Sequence, residues 1–167
     1  MIRDKGGIYE KKYAVIFLAV FALFMVSQVQ AADNPKLSKG QTIYVAAYSH
    51  IYIGHKGTQY NLTITLSIRN IDPSNPITIT KVDYFETQGK LLKNLITEPV
   101  MLEALESTRF IIPPKKKEAG GSGANFIVKW ESKNMSNPPI IESIMIGTQS
   151  QQGISFTSRG QVIIDQK

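Results

Sequence analysis

The sequence predicts an all-β protein: an immunoglobulin-like antiparallel β-sandwich of about eight or nine short strands, preceded by a signal-peptide helix. Three observations predict this fold class. Segments rich in β-branched and aromatic residues recur along the chain, and turn-forming residues separate them at most junctions. No segment has the apolar spacing of an amphipathic helix. The single tryptophan, Trp130, falls in the middle of one of the later strands, which is compatible with a sandwich.

Residues 1–31 are interpreted as a secretory signal peptide. A basic start with Lys11 and Lys12 precedes an apolar run of 14 residues, 13–26, and Val29-Gln30-Ala31 has the small residues of a cleavage site. Because a membrane-spanning helix needs roughly 20 apolar residues, cleavage is favoured, and retention as an anchor stays the alternative. A lipid anchor at this site would need a cysteine, and the chain has none.

The predicted organisation is a signal peptide at 1–31, a flexible polar leader at 32–40 and the β-sandwich domain at 41–167. Loss of residues 1–32 lowers the net charge from +6 to +4, because four basic and two acidic residues leave with them. Such a charge favours solubility and does not indicate nucleic-acid binding. The lack of cysteine excludes disulfides, thiolate metal sites and cysteine nucleophiles. We expect a periplasmic or secreted protein with no cofactor and no stable membrane span after cleavage.

The strand pattern is clearest over 60–70. There Leu62, Ile64, Leu66 and Ile68 alternate with polar residues, which predicts one buried and one solvated face. In the next strand, 77–86, the alternation changes phase, and a β-bulge near Lys81 would explain the change. Further strands are predicted at 42–48, 50–53, 91–96, 99–102, 107–112, 126–130, 140–146, 154–157 and 162–164.

Groups of segments spread over the domain carry a resemblance to a known family. They are Tyr48–Tyr52, Leu66–Asn70, Pro76–Ile79 with Val82–Tyr84, Gly120–Val128 with Trp130, and Met145–Gly147 with Ser150–Phe156 and Ser158–Gly160. Over residues 41–161 the chain resembles the bacterial domain-of-unknown-function 3124 family. The resemblance implies a secreted or envelope protein, and no activity comes with it.

A candidate binding surface is expected where loops cluster at one end of the sandwich. Aromatic side chains flank a histidine, an asparagine follows a glycine-rich segment, and glutamine and arginine side chains surround a predicted hairpin. The candidate residues are Tyr48, His50, Tyr52, Asn125, Gln151, Gln152 and Arg159. Arg159 and Arg69 could each hold a carboxylate with two hydrogen bonds. The alternative is that these side chains serve turns, the core and structural salt bridges.

The glycine-rich stretch 120–123 and the lysines at 115–117 are ambiguous. The stretch 115–123 reads as a flexible connection between strands, because glycine removes conformational restraint. The alternative is that the backbone amides of 120–123 form a concave site that accepts an anion. The lysines are a solvated loop in the simplest interpretation, with attraction to an anionic surface as the alternative.

The sequence predicts non-catalytic binding, because it contains no paired-carboxylate motif and no Ser-His-Asp arrangement. The partner would be an unknown envelope protein or a small ligand, and not nucleic acid. An alternative is metal handling with copper or zinc, in which Gly54 would bend the chain to bring His50 and His55 together. A further alternative is an exposed edge strand that pairs with another envelope protein.

Overall fold

The computed structural model describes residues 36–114, 119–149 and 152–166 of the chain. These residues form strands, turns and loops, and they include no helix long and apolar enough to cross a membrane. The predicted signal peptide at 1–31 and residues 32–35 of the predicted leader lie outside the described residues.

Twelve strands make up the described part of the chain. They are β1 Ser38–Ala46, β2 His50–Ile53, β3 Thr58–Asn61, β4 Thr63–Arg69, β5 Ile77–Phe85, β6 Leu91–Asn94, β7 Val100–Leu102, β8 Ser107–Ile112, β9 Asn125–Ser136, β10 Ile140–Gln149, β11 Gln152–Arg159 and β12 Gln161–Gln166.

The strands form two larger sheets and one hairpin, and every pairing is antiparallel. The first sheet has six strands in the order β12-β1-β9-β5-β6, with β7 paired to the start of β5. The second sheet has the order β11-β10-β4-β8. Strands β2 and β3 form a separate two-stranded hairpin.

Both larger sheets contribute side chains to a single hydrophobic core. The six-stranded sheet supplies Phe126 and Trp130 from β9, and the four-stranded sheet supplies Leu66 from β4 and Met145 from β10, all fully buried. Strand β1 of the first sheet also contacts β10 and β11 of the second. This arrangement confirms the predicted all-β fold as a sandwich of antiparallel sheets, while the immunoglobulin-like topology stays a prediction.

The structure differs from the predicted elements in their number and limits. The predicted strand 60–70 is divided at Leu62, whose N–H donates to the Ser49 carbonyl at 2.8 Å instead of continuing one ladder. Strand β1 already begins at Ser38, so the last three residues of the predicted leader belong to the sheet. The bulge predicted near Lys81 is confirmed by a register shift between Ile79 and Lys81.

A single residue, Gly160, connects the two larger sheets between β11 and β12. Its N–H donates to the Ile141 carbonyl at 2.8 Å. A Cβ atom at this position would lie 2.6 Å from Ile43 Cγ2 and 2.9 Å from the Ile141 carbonyl oxygen, so a larger residue would require its neighbours to shift. The chain therefore passes from one sheet to the other through a corner that has room only for glycine.

Two buried polar residues, Asn70 and Asp72, organise the loops at one end of the sandwich. The Asn70 amide donates to carbonyls of Asn75 and Glu103, which joins the β4–β5 loop to the β7–β8 loop. The Asp72 carboxylate, 3% exposed, accepts N–H groups from the β9–β10 loop, at Asn137, and from its own loop. No cation pairs with this carboxylate among the described residues. Backbone N–H groups therefore stabilise the negative charge of the Asp72 carboxylate.

These hydrogen bonds make Asp72 a source of pH-dependent stability. The N–H of Asn137 first, and then those of Ser74 and Asn75, lower the pKa of the Asp72 carboxyl from 3.8 to about 2. Since the pKa is lower in the folded state, the stabilisation is complete above the unfolded value of 3.8. It is lost as pH falls from that value through the folded value of about 2.

The variant Asp72→Ala should lower the free energy of unfolding by about 3 kcal/mol at neutral pH, because three N–H groups lose their acceptor. Urea denaturation of the two proteins at neutral pH and at pH values from about 4 to about 2 measures this. The wild-type protein should lose more stability than the variant across that acid range. Parallel loss in both proteins would contradict the role assigned to this carboxylate.

Candidate functional site

A cavity of about 460 Å³ opens at one end of the sandwich. It is called the hairpin pocket, because the β2–β3 hairpin forms one wall with His50, Tyr52, Gln59 and Asn61. The other walls of the pocket are residues 86–88, at the start of the β5–β6 connection, and residues 119–122, at the end of the β8–β9 loop. The pocket therefore collects side chains and backbone from three separate parts of the chain.

His50 and Tyr52 lie on the same face of β2, because residues two apart in a strand point to the same side. His50 Nε2 lies 3.2 Å from Tyr52 Oη, and the two rings meet edge to face with centroids 5.2 Å apart. His50 Nδ1 lies 3.3 Å from Ser49 Oγ. Both ring nitrogens thus have hydrogen-bond partners, and Tyr52 remains 62% exposed toward solvent.

The opposite strand of the hairpin adds two amide side chains that the sequence reasoning missed. Gln59 pairs with Tyr52 in the β2–β3 register, and Asn61 pairs with His50. Gln59 Nε2 donates to Asn61 Oδ1 at 2.8 Å. The alternation of Gln59 and Asn61 around buried Tyr60 was visible in the sequence, but only the register places both amides beside the aromatic pair.

The β8–β9 loop forms the inner wall and is held by hydrogen bonds over its described residues. Gly121 N–H donates to Ser49 Oγ at 3.0 Å, and Ser49 N–H donates back to the Gly121 carbonyl at 3.0 Å. Thr87 Oγ1 accepts the Gly123 N–H and donates to the Gly120 carbonyl, both at 3.0 Å. The segment interpreted as a flexible connection is therefore tied to two other strand ends over 119–123.

Gly120 and Gly121 have positive φ angles of 86° and 96°, a backbone conformation that glycine adopts without strain. Beneath them, Tyr84 Oη donates to the Ala119 carbonyl at 2.6 Å. Burial raises the pKa of the Tyr84 phenol, so the hydroxyl stays protonated and remains a donor. Together these features hold the β8–β9 loop at a fixed distance from the core.

The chemical character of the hairpin pocket is polar and nearly uncharged. Glu86 is the one carboxylate in its lining among the described residues, and no lysine or arginine side chain lines it there. The lining there contains no aliphatic side chain larger than Ala119. The pocket therefore presents hydrogen-bonding groups and one exposed aromatic ring, and it is not a predominantly apolar cleft.

The structure brings together only part of the predicted candidate set. His50 and Tyr52 line the hairpin pocket, whereas Tyr48 packs half-buried against Phe156 with ring centroids 5.7 Å apart. Asn125 begins β9 at the same end of the sandwich, outside the pocket lining.

The remaining candidates lie elsewhere or beyond the described residues. Arg159 ends β11 opposite Glu142 and lines a different cavity. Gln152 begins β11, and only its backbone is described. Gln151 and the lysines at 115–117 lie outside the described residues. The surface proposed from the sequence is thus divided between two places.

His55 lies exposed in the turn 54–57 at the tip of the β2–β3 hairpin, whereas His50 lies at its base. The described residues contain no group of three or more His, Asp or Glu side chains that could hold a metal ion. The metal-handling alternative with His50 and His55 stays a prediction.

Comparison with known proteins identifies a family and a distant structural likeness. The model of a family described as "Protein of unknown function (DUF3124)" matches residues 40–163. No curated protein matches the chain. A solved structure, the "Crystal Structure of Thermotoga maritima 1070", is similar with 14% identity and a TM-score of 0.43, over 72% of this chain and 92% of that chain.

The variant Thr87→Val should loosen the inner wall of the hairpin pocket, because it removes the oxygen that accepts the Gly123 N–H. Hydrogen exchange of the Gly123 amide should become about fivefold to tenfold faster, as the loss of one hydrogen bond of ~1 kcal/mol implies. The matched control is Thr157→Val on the exposed face of β11, which should leave this exchange rate unchanged. Equal rates in wild type and Thr87→Val would show that this hydrogen bond does not hold the loop.

Proposed function

The chain belongs to the DUF3124 family, and from this premise we propose that it is an exported, non-catalytic binding domain whose hairpin pocket holds a neutral, hydroxyl-rich ligand such as a saccharide unit. The observation that carries the proposal is the chemistry of the lining. Amide and hydroxyl side chains surround an exposed tyrosine, and the described lining has one carboxylate and no lysine or arginine.

The lining argues against two other ligand classes. Pockets for apolar ligands are lined mainly by hydrophobic and aromatic side chains, and the described lining has only Ala119 and the ring of Tyr52 of this kind. An anionic ligand would meet the carboxylate of Glu86, and none of the described lining residues is a lysine or arginine that could balance the charges. A neutral ligand with many hydroxyl groups has neither problem.

The hairpin wall has the groups that a saccharide unit needs. The amides of Gln59 and Asn61 each have donor and acceptor atoms, and sugar hydroxyls can match both kinds. The exposed ring of Tyr52 provides an apolar face on which the C–H side of a sugar ring can pack. Because the inner wall is held by Ser49 and Thr87, little ordering of the loop is required on binding.

The neighbourhood of Ser49 supports binding rather than nucleophilic catalysis. Its side chain lies beside a histidine, but the residue is only 4% exposed and its Oγ already accepts the Gly121 N–H. A serine nucleophile needs access to substrate and a base oriented by a third group. Here the histidine's other nitrogen faces the Tyr52 hydroxyl instead of a carboxylate.

Support for export comes from the sequence alone. The apolar run over 13–26 is of signal-peptide length, and Val29-Gln30-Ala31 precedes the start of the polar leader.

Export predicts a processed N-terminus. Cells that express the full chain should hold a product outside the cytoplasmic membrane that begins at Ala32 or Asp33, as N-terminal sequencing would read. The double variant Ala31→Leu with Ala32→Leu removes the small residue before either cut and should slow processing, whereas Gln28→Leu should leave it unchanged. A membrane-bound product that keeps Met1 as the main species would overturn the proposal of a released domain.

Binding is tested with neutral oligosaccharides as probes, maltose and N,N′-diacetylchitobiose among them, by calorimetry on the exported protein. At least one neutral probe should bind, and Tyr52→Ala and Gln59→Ala should each weaken it about tenfold, equal to ~1.4 kcal/mol. The matched control is Tyr44→Ala, which removes an exposed tyrosine of β1 outside the pocket and should change affinity less than about twofold. The proposal would be refuted if only acidic probes bound, or if Tyr52→Ala left the affinity for neutral oligosaccharides unchanged.

A further inference from the structure

The four-stranded sheet, β11-β10-β4-β8, turns one side to the core and the other to solvent. On β4 the alternate residues Ile64, Leu66 and Ile68 are fully buried, so the residues between them lie on the opposite side. The strand register extends this alternation to the other three strands. The solvent side is called the outer face, and the residues of it that matter here are Arg69, Arg109, Ile111, Ile144, Ile146 and Arg159.

One part of the outer face is aliphatic. Thr65 of β4 pairs with Ile111 on one side and with Ile144 on the other. Since neighbouring strands are ~4.8 Å apart, the two isoleucines lie about 10 Å from each other across Thr65. Ile146 follows two residues after Ile144 on the same side of β10. Because Ile111 is 57% exposed and Ile146 47% exposed, these side chains form one exposed apolar patch instead of isolated surface residues.

The adjoining row of the outer face carries arginines. Arg109 of β8 pairs with Ser67, and Ser67 pairs in turn with Glu142. Glu142 pairs with Arg159 of β11. Arg69 lies two residues after Ser67, and its Nε donates to Ser67 Oγ at 3.2 Å. All three arginines are exposed and none forms an ion pair within the described residues, so this row has an excess of positive charge.

This combination of groups limits what can cover the outer face. A second copy of the chain would bring the same excess of cations, and burial of unbalanced charges of one sign is costly. A soluble polyanion would neutralise the arginines but has no apolar part for the isoleucines. A bilayer with anionic lipids has phosphates in its headgroup layer and acyl chains directly beneath. Charge complementarity and the isoleucine patch together therefore favour a bilayer.

We infer that the outer face docks on a bilayer that contains anionic phospholipid. The three arginines contact lipid phosphates, which guanidinium groups can hold with two hydrogen bonds each. Ile111 and Ile146 enter the boundary between headgroups and acyl chains, while the long arginine side chains keep their charged ends among the headgroups. Docking of this kind is reversible, because a few side chains hold a protein far less firmly than a membrane span.

The docking is independent of the ligand proposed for the hairpin pocket. None of the six residues that define the outer face belongs to the lining of that pocket. Failure of either proposal therefore leaves the other standing.

The test is co-sedimentation of residues 35–167 with lipid vesicles. These residues form a compact unit that contains all the described core residues, and they lack the apolar run at 13–26, which could bind lipid by itself. Vesicles of phosphatidylcholine with about one third phosphatidylglycerol should bind at least about tenfold more tightly than phosphatidylcholine alone, because each cation near an anionic surface adds about fivefold. Salt at about 0.5 M should remove most of this difference by screening.

Two matched pairs of variants assign the binding to the outer face. Arg109→Gln should weaken binding to the anionic vesicles about fivefold, whereas Lys93→Gln, at an exposed position of β6 in the other sheet, should change it less than about twofold. Ile111→Ser should weaken binding about threefold. Its control is Ile164→Ser on β12, which is also 57% exposed but belongs to the other sheet, and which should leave binding unchanged. Because all four positions are exposed, the core is not altered.

Several results would overturn the inference. Equal binding to anionic and neutral vesicles, or no binding at millimolar lipid, would show that the arginines do not recognise a charged bilayer. Equal effects within either pair of variants would place the contact elsewhere. Binding to soluble polyphosphate as tight as to anionic vesicles would assign the face to a polyanion. A dimer that forms without lipid and that Ile111→Ser dissociates would assign it to a second copy of the chain.

Discussion

Burial of one face of each sheet against the other is the constraint on which the rest of this structure depends. Strand β4 and the first half of β9 meet this constraint because alternate side chains, such as Leu66 and Trp130, are apolar and turn inward. Their ladders leave the ends of the strands as the places where backbone groups need other partners. The polar residues that join the loops, Asn70 and Asp72 at one end and Ser49 and Thr87 at the other, meet that need.

Ser49 shows how such a junction also shapes a site. Its carbonyl accepts the Leu62 N–H, its N–H donates to the Gly121 carbonyl, and its Oγ accepts the Gly121 N–H. Ser49 thereby connects the β2–β3 hairpin, the start of β4 and the β8–β9 loop and fixes the distances between them. The hairpin pocket is the space between these three segments, so its geometry follows from backbone pairing more than from the side chains that line it.

Much of the fold could be predicted because period-two alternation is a local property. The alternation of Leu62, Ile64, Leu66 and Ile68 and the phase change before Val82 were both readable without a partner strand. The division of the strand at Leu62 was not readable, because it depends on a hydrogen bond to a residue 13 positions away.

The site was harder to predict, since proximity depends on register. His50 and Tyr52 were among the candidates because aromatic side chains flank the histidine in the sequence. Gln59 and Asn61 join them only through the hairpin pairing, and Arg159 belongs to another cavity because the topology sends β11 to another part of the sandwich. Neither the β2–β3 register nor the place of β11 in the sheet topology can be read directly from a single sequence.

The corner at Gly160 has a consequence for the order in which the domain is assembled. Past it, β12 runs beside β1, so that Gly40 faces Gln166 and the first strand is covered by the last. The other neighbour of β1 is β9, also far along the chain. A chain that is synthesised from its N-terminus therefore cannot complete its larger sheet until almost its whole length is available. Non-local pairing of this kind is intrinsically slow, so the chain stays without its complete first sheet for longer than a chain with local pairings would.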